Sequence, residues 1–192
     1  ENVPEFMDWV LYPAWRAGME ALGYVLSPVI IDAADHGVPQ NRVRLFIICT
    51  RSRKPIALRL QRRDHVPVSR VLDFEAGRWS RIADKVQATR ARWACGRAAF
   101  GRRFVMPYNG SGSGLTGRSI GRPLGTITTV ARWALVDGDR MRMMSVQEGR
   151  AAMGFPAGYQ LPTVPKLAWH LMGNAVVPIV GCDVLEALHK AA

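Results

Sequence analysis

The stretch GVPQNRVRLFIICTR, residues 37–51, predicts a tight turn that leads into an apolar β-strand. Successive side chains of a strand point to opposite faces, so Arg42 and Arg44 lie on the same face where the strand begins. Upstream, residues 4–23 have a helical pattern and residues 24–36 form a second stretch rich in Val and Ile. A helix followed by two buried strands predicts the edge of an α/β sheet.

The two arginines at the start of a buried strand need an explanation. Removing guanidinium groups from water costs free energy unless they are paired. From the residues alone, two explanations are about equally good: structural ion pairs with Asp32 or Asp35, or a bound ligand that carries out the protein's function.

Composition limits the classes of protein to consider. The chain has 192 residues and is 48% hydrophobic, which is enough for a real core in one large domain or two small ones. No apolar run approaches the roughly 18 residues that cross a bilayer, and neither end resembles a secretory signal, so no membrane partner is expected.

The cysteines and histidines do not indicate a metal site. Cys49, Cys95 and Cys182 are far apart and odd in number, which argues against a disulfide framework or structural zinc. The four histidines lack the spacing of a metal motif. We therefore predict no metal and a cytoplasmic location.

Positive charge is concentrated in the middle of the chain. The net charge is +11, and residues 51–103 contain 15 Lys and Arg with 4 Asp and Glu, whereas the remainder contains 11 of each. A basic block on a balanced protein is typical of a polyanion-binding segment. The alternative is a solvated basic face without a ligand.

The pattern GSGLTG, residues 112–117, matches the G-x-G-x-x-G motif of dinucleotide-binding sites. That motif must open a helix, but it is followed by RSIGRPLGTITT, in which Gly121, Pro123 and Gly125 make a helix very unfavourable. No GK[ST] follows, which excludes a Walker phosphate loop. We interpret the stretch as a loop.

Helices are predicted in three further segments. Trp79, Ile82, Val86 and Trp93 have helical spacing in residues 78–96. SVQE, residues 145–148, is a capping box that starts a short helix. The last 28 residues predict two helices broken at a Gly-Asn pair. In the second helix, the helical spacing of the apolar residues predicts a buried stripe that includes Ile179, Val184, Leu185 and Leu188.

Five short motifs occur in a recognisable order. They are ENV at residues 1–3, QNRVR at 40–44, RPLGTITT at 122–129, SVQEGRAAMGFP at 145–156 and GNAV at 173–176. This series resembles the second half of DNA cytosine-5 methyltransferases, which have the blocks E-N-V, Q-x-R-x-R, R-P-x-x-T-[IL]-T, R-E-x-x-R-x-x-G-[FY]-P and G-N-[AS]-V. One departure is Gln147-Glu148, where the family usually has Arg-Glu.

The resemblance implies an α/β fold: the edge of a Rossmann-like methyltransferase sheet with a small mixed α+β target-recognition domain. We expect residues 1–51 to be the C-terminal part of the catalytic domain and residues 52–164 to form the target-recognition domain. Residues 165–192 would be helices that return to the catalytic domain.

The resemblance also implies catalytic roles. Glu1 would be the carboxyl group at ring nitrogen 3 of an extruded cytosine, partly protonated or strongly hydrogen-bonded during attack. Arg44 would be the cation at the ring oxygen, and Arg42 a partner that holds a phosphate or the catalytic carboxylate. In this context we prefer the functional explanation of the two arginines to the structural ion pairs.

Binding residues follow from the same motifs. Asn174, Ala175 and Val176 would contact S-adenosylmethionine, although a plain helix break explains this segment equally well. Double-stranded DNA is the expected partner, and the loop at residues 108–118 is a candidate for base recognition. The predicted DNA-binding residues are Gln40, Arg42, Arg81, Lys85, Arg92, Arg118 and Arg122.

The family's first half, with its cofactor-binding turn and its Pro-Cys nucleophile, has no counterpart in these motifs. The three cysteines follow Ile48, Ala94 and Gly181. We therefore expect a fragment or a subunit of a split enzyme that recognises DNA and methylates carbon 5 only with a partner carrying the nucleophile. The resemblance implies a prokaryotic or phage-infected cell, for instance one with a restriction-modification system. A catalytically inactive DNA-binding module and, less well supported, an RNA-binding protein are the alternatives.

Overall fold

The computed structural model describes residues 1–52, 54–108 and 117–191. The helices are α1 (Tyr12–Ala21), α2 (Gln87–Phe100), α3 (Val146–Ala152), α4 (Pro165–Asn174) and α5 (Pro178–Ala191). The strands are β1 (Val25–Asp32), β2 (Val43–Thr50), β3 (Ser80–Arg81), β4 (Arg103–Pro107), β5 (Arg118–Ser119), β6 (Trp133–Asp137) and β7 (Arg140–Met143). The predicted α/β class is confirmed, and the strands named here pair with one another in antiparallel fashion.

The opening stretch forms a hairpin with the strand before it, as predicted. β1 pairs with β2 from Val25 opposite Thr50 to Asp32 opposite Val43. A short 3-10 helix, Ala33–His36, and the left-handed Gly37 (φ 76°) connect the strands. A residue with a Cβ atom adopts this left-handed conformation only at a steric cost, which explains the glycine in the turn.

A second, five-stranded sheet has the order β3-β7-β6-β4-β5. β6 is its central strand and all five of its residues are buried. α2 contacts β4, and the sheet's own hydrophobic cluster includes Phe104, Met106 and Val136.

The main core draws on all parts of the chain. It contains, among others, Ile31 from β1, Val68, Leu135 from β6, Trp169 from α4 and Val184 from α5. Each of the three predicted segments thus contributes to one continuous core, which holds the hairpin, the second sheet and the C-terminal helices together.

Two helix predictions need correction. The structure begins α2 at Gln87, because Ser80–Arg81 pairs with β7 and Ile82–Asp84 is a 3-10 turn. In α5 the buried residues are Val180, Val184 and Ala187, whereas Ile179 and Leu185 are 37% and 67% exposed.

The capping box is confirmed. The side chain of Ser145 accepts a hydrogen bond from the Glu148 amide, and Glu148 accepts one from the Ser145 amide. This reciprocal bonding satisfies two amides at the start of α3.

The segment Pro165–Ala191 is long and apolar enough to meet the criteria for a membrane span, with a mean hydropathy of 1.5 in its most apolar window. The structure divides it into α4 and α5, and Trp169, Met172 and Val184 pack into the main core. Part of its apolar surface is therefore buried, whereas Leu167, Leu171 and Leu185 are exposed. The expected absence of a membrane partner stays a prediction.

The GSGLTG pattern up to Thr116 and most of the candidate base-recognition loop lie outside the described residues. The described residues on either side, Tyr108 and Gly117, are next to β4 and β5, which pair with each other.

Candidate active site

Arg42 is a buried connector between three segments. Its side chain is 3% exposed, and its guanidinium group donates hydrogen bonds to the carbonyl oxygens of Ile127 (2.9 Å), Gly173 (2.8 Å) and Ala175 (3.0 Å). These acceptors lie in two of the predicted motifs, RPLGTITT and GNAV. In this arrangement carbonyl groups occupy the guanidinium group of Arg42. The contact of Arg42 with a phosphate or with the catalytic carboxylate stays a prediction.

Burial acts on the charge of Arg42. It lowers the pKa of the guanidinium group from 12.5 to about 10, with a further contribution from the nearby charge of Arg44 and an opposing one from Glu1. The Nε atom of Arg42 is buried without a hydrogen-bond partner among the described residues. A charged group is held here at an energetic cost, and the three carbonyl contacts offset it.

Arg44 pairs with Glu1. Its Nε atom lies 3.2 Å from Oε1 of Glu1, and the two side chains are 18% and 19% exposed. The backbone brings them together, because Asn2 exchanges two hydrogen bonds with Leu45, each of 2.8 Å. A carboxylate and a guanidinium group thus lie side by side at a partly open position. The catalytic roles of the two residues stay predictions.

The alternative explanation for the two arginines, ion pairs with Asp32 or Asp35, is not found in the structure. Asp32 accepts hydrogen bonds from the Arg42 amide (2.8 Å) and from the Asn41 side chain (3.0 Å). Asp35 pairs with Arg62 and His65. Both carboxylates are thereby bound to groups other than the two guanidinium groups.

A small cavity adjoins the pair. It is lined by Glu1, Arg42 and Arg44 together with an apolar wall: Ile31, Ala33, Phe46, Val176, Val177 and Val180. Its volume is about 10 Å³, close to the space of one water molecule. In this conformation the described residues form one side of a site and leave no room for a pyrimidine.

Gln40 is buried next to the same segments as Arg42. It is fully buried, and its Oε1 atom accepts a hydrogen bond of 2.6 Å from the Ile127 amide. Its Nε2 atom faces the Ala152 carbonyl (3.4 Å) and Met153 Sδ (3.0 Å). A side chain in this environment positions the Ile127 segment, and its burial contradicts the predicted contact with DNA.

The Gly-Asn segment lies beside Arg42, which bonds to the carbonyls of Gly173 and Ala175. The Asn174 side chain is exposed and lies 3.3 Å from the His170 ring, and Val176 is 39% exposed. Backbone packing is tight here, since a Cβ on Gly173 would lie 2.2 Å from the Thr129 amide nitrogen. The absence of a side chain at Gly173 therefore allows α4 to end against the RPLGTITT segment.

The predicted DNA-binding residues lie in different environments. Arg81 is exposed and paired with Asp84 at 3.0 Å, and Arg122 is exposed. Lys85 is half-buried, and Arg92 donates to the Pro107 carbonyl at 2.8 Å. Arg118 is half-buried with its guanidinium group 5.9 Å from the centre of the Trp133 ring.

The sequence patterns missed two exposed arginines on α2. Arg90 and Arg97 are separated by seven residues, about two helical turns, and so lie on the same face. The signal was present, but the predicted helix began too early and the arginines were not assigned to its exposed face.

An ion-pair cluster was also missed. Asp183 on α5 accepts two hydrogen bonds from Arg63, at 2.5 and 2.9 Å, and lies 2.5 Å from Nδ1 of the buried His36. Arg63, and then His36, lower the pKa of the Asp183 carboxyl group. The cluster ties α5 to the turn before Gln40 and to the basic block.

A second buried pair links the basic block to α3. Arg142 makes two hydrogen bonds to Glu148, at 2.8 and 2.7 Å, and also bonds to the Asp73 carbonyl. Although burial opposes it, hydrogen bonding from Arg142 and from two amides lowers the pKa of Glu148. The Glu of the SVQE box is therefore a structural anchor.

A larger groove, of about 1140 Å³, lies on another part of the surface. It runs between residues 129–131, the start of α3 and residues 159–170. Basic groups on its border are Arg150, Lys166 and His170. Of the described residues, no group of three or more His, Cys, Asp or Glu is arranged to hold a metal ion.

Solved structures of methyltransferases have a similar fold. The Entamoeba histolytica methyltransferase EhMeth has a TM-score of 0.62 at 15% identity, with 98% of this chain and 61% of that one covered. A Spodoptera frugiperda DNMT2 variant has a TM-score of 0.62 at 15% identity, with 98% of this chain and 65% of that one covered. A third similar structure is that of a protein from an Escherichia coli prophage, described as a DNA modification methyltransferase. It has a TM-score of 0.63 at 16% identity, with 99% of this chain and 68% of that one covered.

The chain thus spans about two thirds of the length of these structures. No curated protein matches it. The family model for C-5 cytosine-specific DNA methylases matches residues 1–190, which include the Glu1–Arg44 pair and the segments that Arg42 connects. The chain therefore belongs to the C-5 cytosine-specific DNA methylase family.

Proposed function

We propose that this chain is the DNA-recognising, base-holding part of a cytosine-5 methyltransferase. It binds duplex DNA and holds an extruded cytosine against Glu1 and Arg44 while a methyl group is transferred to ring carbon 5. The nucleophile comes from a complementary methyltransferase half, because none of the three cysteines follows a proline.

The Glu1–Arg44 pair, at 3.2 Å, is the observation that carries this proposal. Addition of a thiolate to ring carbon 6 makes the pyrimidine ring electron-rich and negative. A carboxyl group at ring nitrogen 3 and a guanidinium group at the ring oxygen stabilise that charge, most strongly where water is excluded. At 18% and 19% exposure the two side chains are partly shielded but still reachable.

Arg42 supports the pair without contacting the base. Its bonds to Ile127, Gly173 and Ala175 hold two loops next to the start of β2. Arg44 is the second residue of that strand. The cavity beside them has a volume of about 10 Å³. To admit a base, its lining residues must move apart and a further wall must be added. In the proposal, the complementary half and the bound DNA supply both.

S-adenosylmethionine is the proposed methyl donor, and it supplies an electrophilic methyl group on a sulfonium. The residues of the Gly-Asn segment fit one edge of such a molecule: the Asn174 amide is exposed, and Val176 offers apolar surface. The backbone carbonyl of Ala175 is bound by Arg42 and so is already occupied. The remaining contacts to the donor would come from the complementary half.

DNA binding rests on the basic block. Its net charge of +11 equals that of the whole chain, and Arg90, Arg97 and Arg122 are exposed. Arginines of this kind bind phosphates and fix the position of the duplex, whereas base reading needs side chains in a groove. The loop at residues 108–118 remains the proposed base reader.

Methyl transfer tests the catalytic part. Labelled-methyl incorporation into duplex DNA is measured for the chain alone and with a polypeptide that carries the cofactor turn and the Pro-Cys nucleophile. We expect activity only from the mixture, and a loss of about 10²- to 10⁴-fold for Glu1→Gln or Arg44→Ala. Glu5→Gln is the matched control, because Glu5 is exposed in the next turn of chain.

Two results would contradict this proposal. Methylation by the isolated chain would refute the division of labour. Equal activity of Glu1→Gln and Glu5→Gln in the mixture would favour the inactive DNA-binding module instead.

Salt dependence tests the DNA part. Fluorescence anisotropy with a labelled duplex is recorded at several salt concentrations for the chain and for Arg90→Gln/Arg97→Gln. Removing two phosphate contacts lowers the slope of log affinity against log salt by about 2. Arg16→Gln, outside the basic block and paired with Glu20, should leave the slope unchanged.

Competition by RNA separates the remaining alternative. Unlabelled duplex DNA should displace the labelled duplex at lower concentration than single- or double-stranded RNA of the same length. Stronger displacement by RNA would favour an RNA-binding protein.

A further inference from the structure

Residues 51–65, which we call the basic strip, carry a large share of the positive charge. The sequence contains six Lys and Arg and one Asp here, a net charge of +5 out of +11 for the whole chain. The described residues of the strip belong to no helix or strand. Positive charge is therefore concentrated in a segment that lies outside both α2 and the candidate base-recognition loop.

The basic strip runs alongside β1. The Ile56 amide donates a hydrogen bond of 2.8 Å to the Ser27 hydroxyl, and the Arg63 amide donates one of 2.7 Å to the Asp35 carbonyl. Two nearly equal lengths of chain thus lie side by side in the same direction. By these contacts the strip belongs to the hairpin, and it leads from the end of β2 back to the turn between β1 and β2.

Burial alternates along the middle of the basic strip. Ile56, Leu58 and Leu60 are half-buried, whereas Ala57 and Arg59 between them are exposed. A period of two is typical of an extended chain with one apolar face. Because Leu58 and Leu60 pack against the main core, the apolar side chains fix the strip and leave its charged side chains in the solvent.

Ion pairs hold the end of the strip at the turn. Asp183 on α5 pairs with Arg63, and Asp35 in the turn pairs with Arg62 and His65. These carboxylates partly neutralise the last cations of the strip and keep this end in place.

The cations nearer the start of the strip are open to binding. Lys54 and Arg59 are exposed, and in the described part of the chain no carboxylate pairs with either side chain. A block of like charges usually repels itself into disorder, whereas packing holds this one in a single conformation. A bound polyanion would remove that repulsion.

We infer that the basic strip binds the phosphate backbone of duplex DNA beside the target site. This inference rests on the proposed function, in which a base extruded towards Glu1 and Arg44 places the duplex at the start of β2. The Arg63 end of the strip lies at the same end of the hairpin, because Asp35 is in the turn that connects β1 to β2. The strip therefore leads away from the target along the hairpin.

The strip reaches well beyond the target. Lys54 precedes Arg63 by nine residues, about 30 Å of extended chain, which is the length of about nine base pairs. By the same measure Arg59 is about 13 Å from Arg63, or about four base pairs. Backbone contacts read no sequence, so they raise the affinity for long duplexes whatever the flanking sequence.

Salt titrations on two lengths of duplex test the strip. Fluorescence anisotropy is recorded for the full chain and for Lys54→Gln/Arg59→Gln with labelled duplexes of about 12 and about 30 base pairs. On the longer duplex the slope of log affinity against log salt should fall by about 2, since two phosphate contacts are lost. The shorter duplex extends only about six base pairs from a central target, so it reaches Arg59 but not Lys54, and its slope should fall by about 1.

Two control variants separate the position of the charges from their number. Lys54→Arg/Arg59→Lys keeps both charges and should keep the slope on both duplexes. Arg16→Gln/Lys190→Gln removes the same net charge from α1 and α5 and should leave the slope unchanged. An equal fall for this second control would overturn the inference, since net charge alone would then explain the effect.

An unchanged slope on the longer duplex, or equal falls on both lengths, would also overturn the inference. So would weaker binding of Lys54→Gln/Arg59→Gln to phosphatidylserine vesicles with unchanged binding to DNA, which would favour a membrane surface as the partner. Arg90 and Arg97 lie outside the strip. A lower slope for Arg90→Gln/Arg97→Gln alone would therefore support the proposed function and overturn only this inference.

Discussion

Replacing Arg42 with methionine should destabilise the protein more than the same change at Arg44. Methionine keeps an apolar stem of similar length but leaves the carbonyls of Ile127, Gly173 and Ala175 without their donor. Hydrogen bonds from a charged donor contribute about 1.5–3 kcal/mol each, so three of them represent about 4–9 kcal/mol.

Relief of the buried charge offsets part of this loss. The pKa of Arg42 falls from 12.5 to about 10, which corresponds to a cost of roughly 3 kcal/mol for keeping the group charged. Because methionine removes that cost, the net loss of unfolding free energy is about 1–6 kcal/mol. Near the middle of this range the melting temperature falls by about 7–14 °C for a protein of this size.

Arg44→Met is the matched control on the same strand face. Its guanidinium group pairs with Glu1 at a partly exposed position, and such pairs contribute about 1 kcal/mol or less. Urea unfolding followed by circular dichroism measures both variants. If Arg42→Met were no less stable than Arg44→Met, the argument that Arg42 connects the loops through its carbonyl contacts would be refuted.

Two other predictions concern stability. Gly173→Ala should lower the free energy of unfolding by about several kcal/mol, because the added Cβ meets backbone atoms of Thr128 and Thr129 at 2.2–2.5 Å. The control Gly18→Ala in α1 meets nothing within 4 Å and should stabilise the chain by up to about 1 kcal/mol. Thermal melts compare the two variants. The lowered pKa of Asp183 means that its contribution is present above the ordinary carboxyl range near pH 4 and is lost as the pH falls through the lowered value. Urea midpoints from pH 7 to pH 3 should therefore fall less steeply for Asp183→Asn than for the unchanged protein, and parallel curves would contradict the role of the cluster.

Local patterns were enough to predict several elements. The hairpin, the capping box at Ser145 and the two helices that begin at Pro165 and Pro178 follow from side-chain periodicity, turn residues and proline geometry. These depend on residues close together in the chain. That Glu1 and Arg44 belong to one site was expected only because the motif order resembled a known family, and their ion pair came from the structure.

The structure corrected predictions wherever a long-range partner decided the outcome. The turn at residues 80–84 displaces the start of α2, since Ser80–Arg81 is drawn into pairing with β7. In α5, helical spacing allowed more than one apolar stripe, and packing against the main core selected Val180, Val184 and Ala187.

The sequence by itself determined which residue types meet the start of β2 and on which face they lie, because strand alternation is a local property of the backbone. Only the tertiary structure decided their partners. Arg42 bonds to Ile127, 85 residues away, and His36 to Asp183, 147 residues away. Nothing in a local pattern distinguishes a carbonyl acceptor from a phosphate, since both satisfy a buried guanidinium group; the choice is made when packing brings distant segments together.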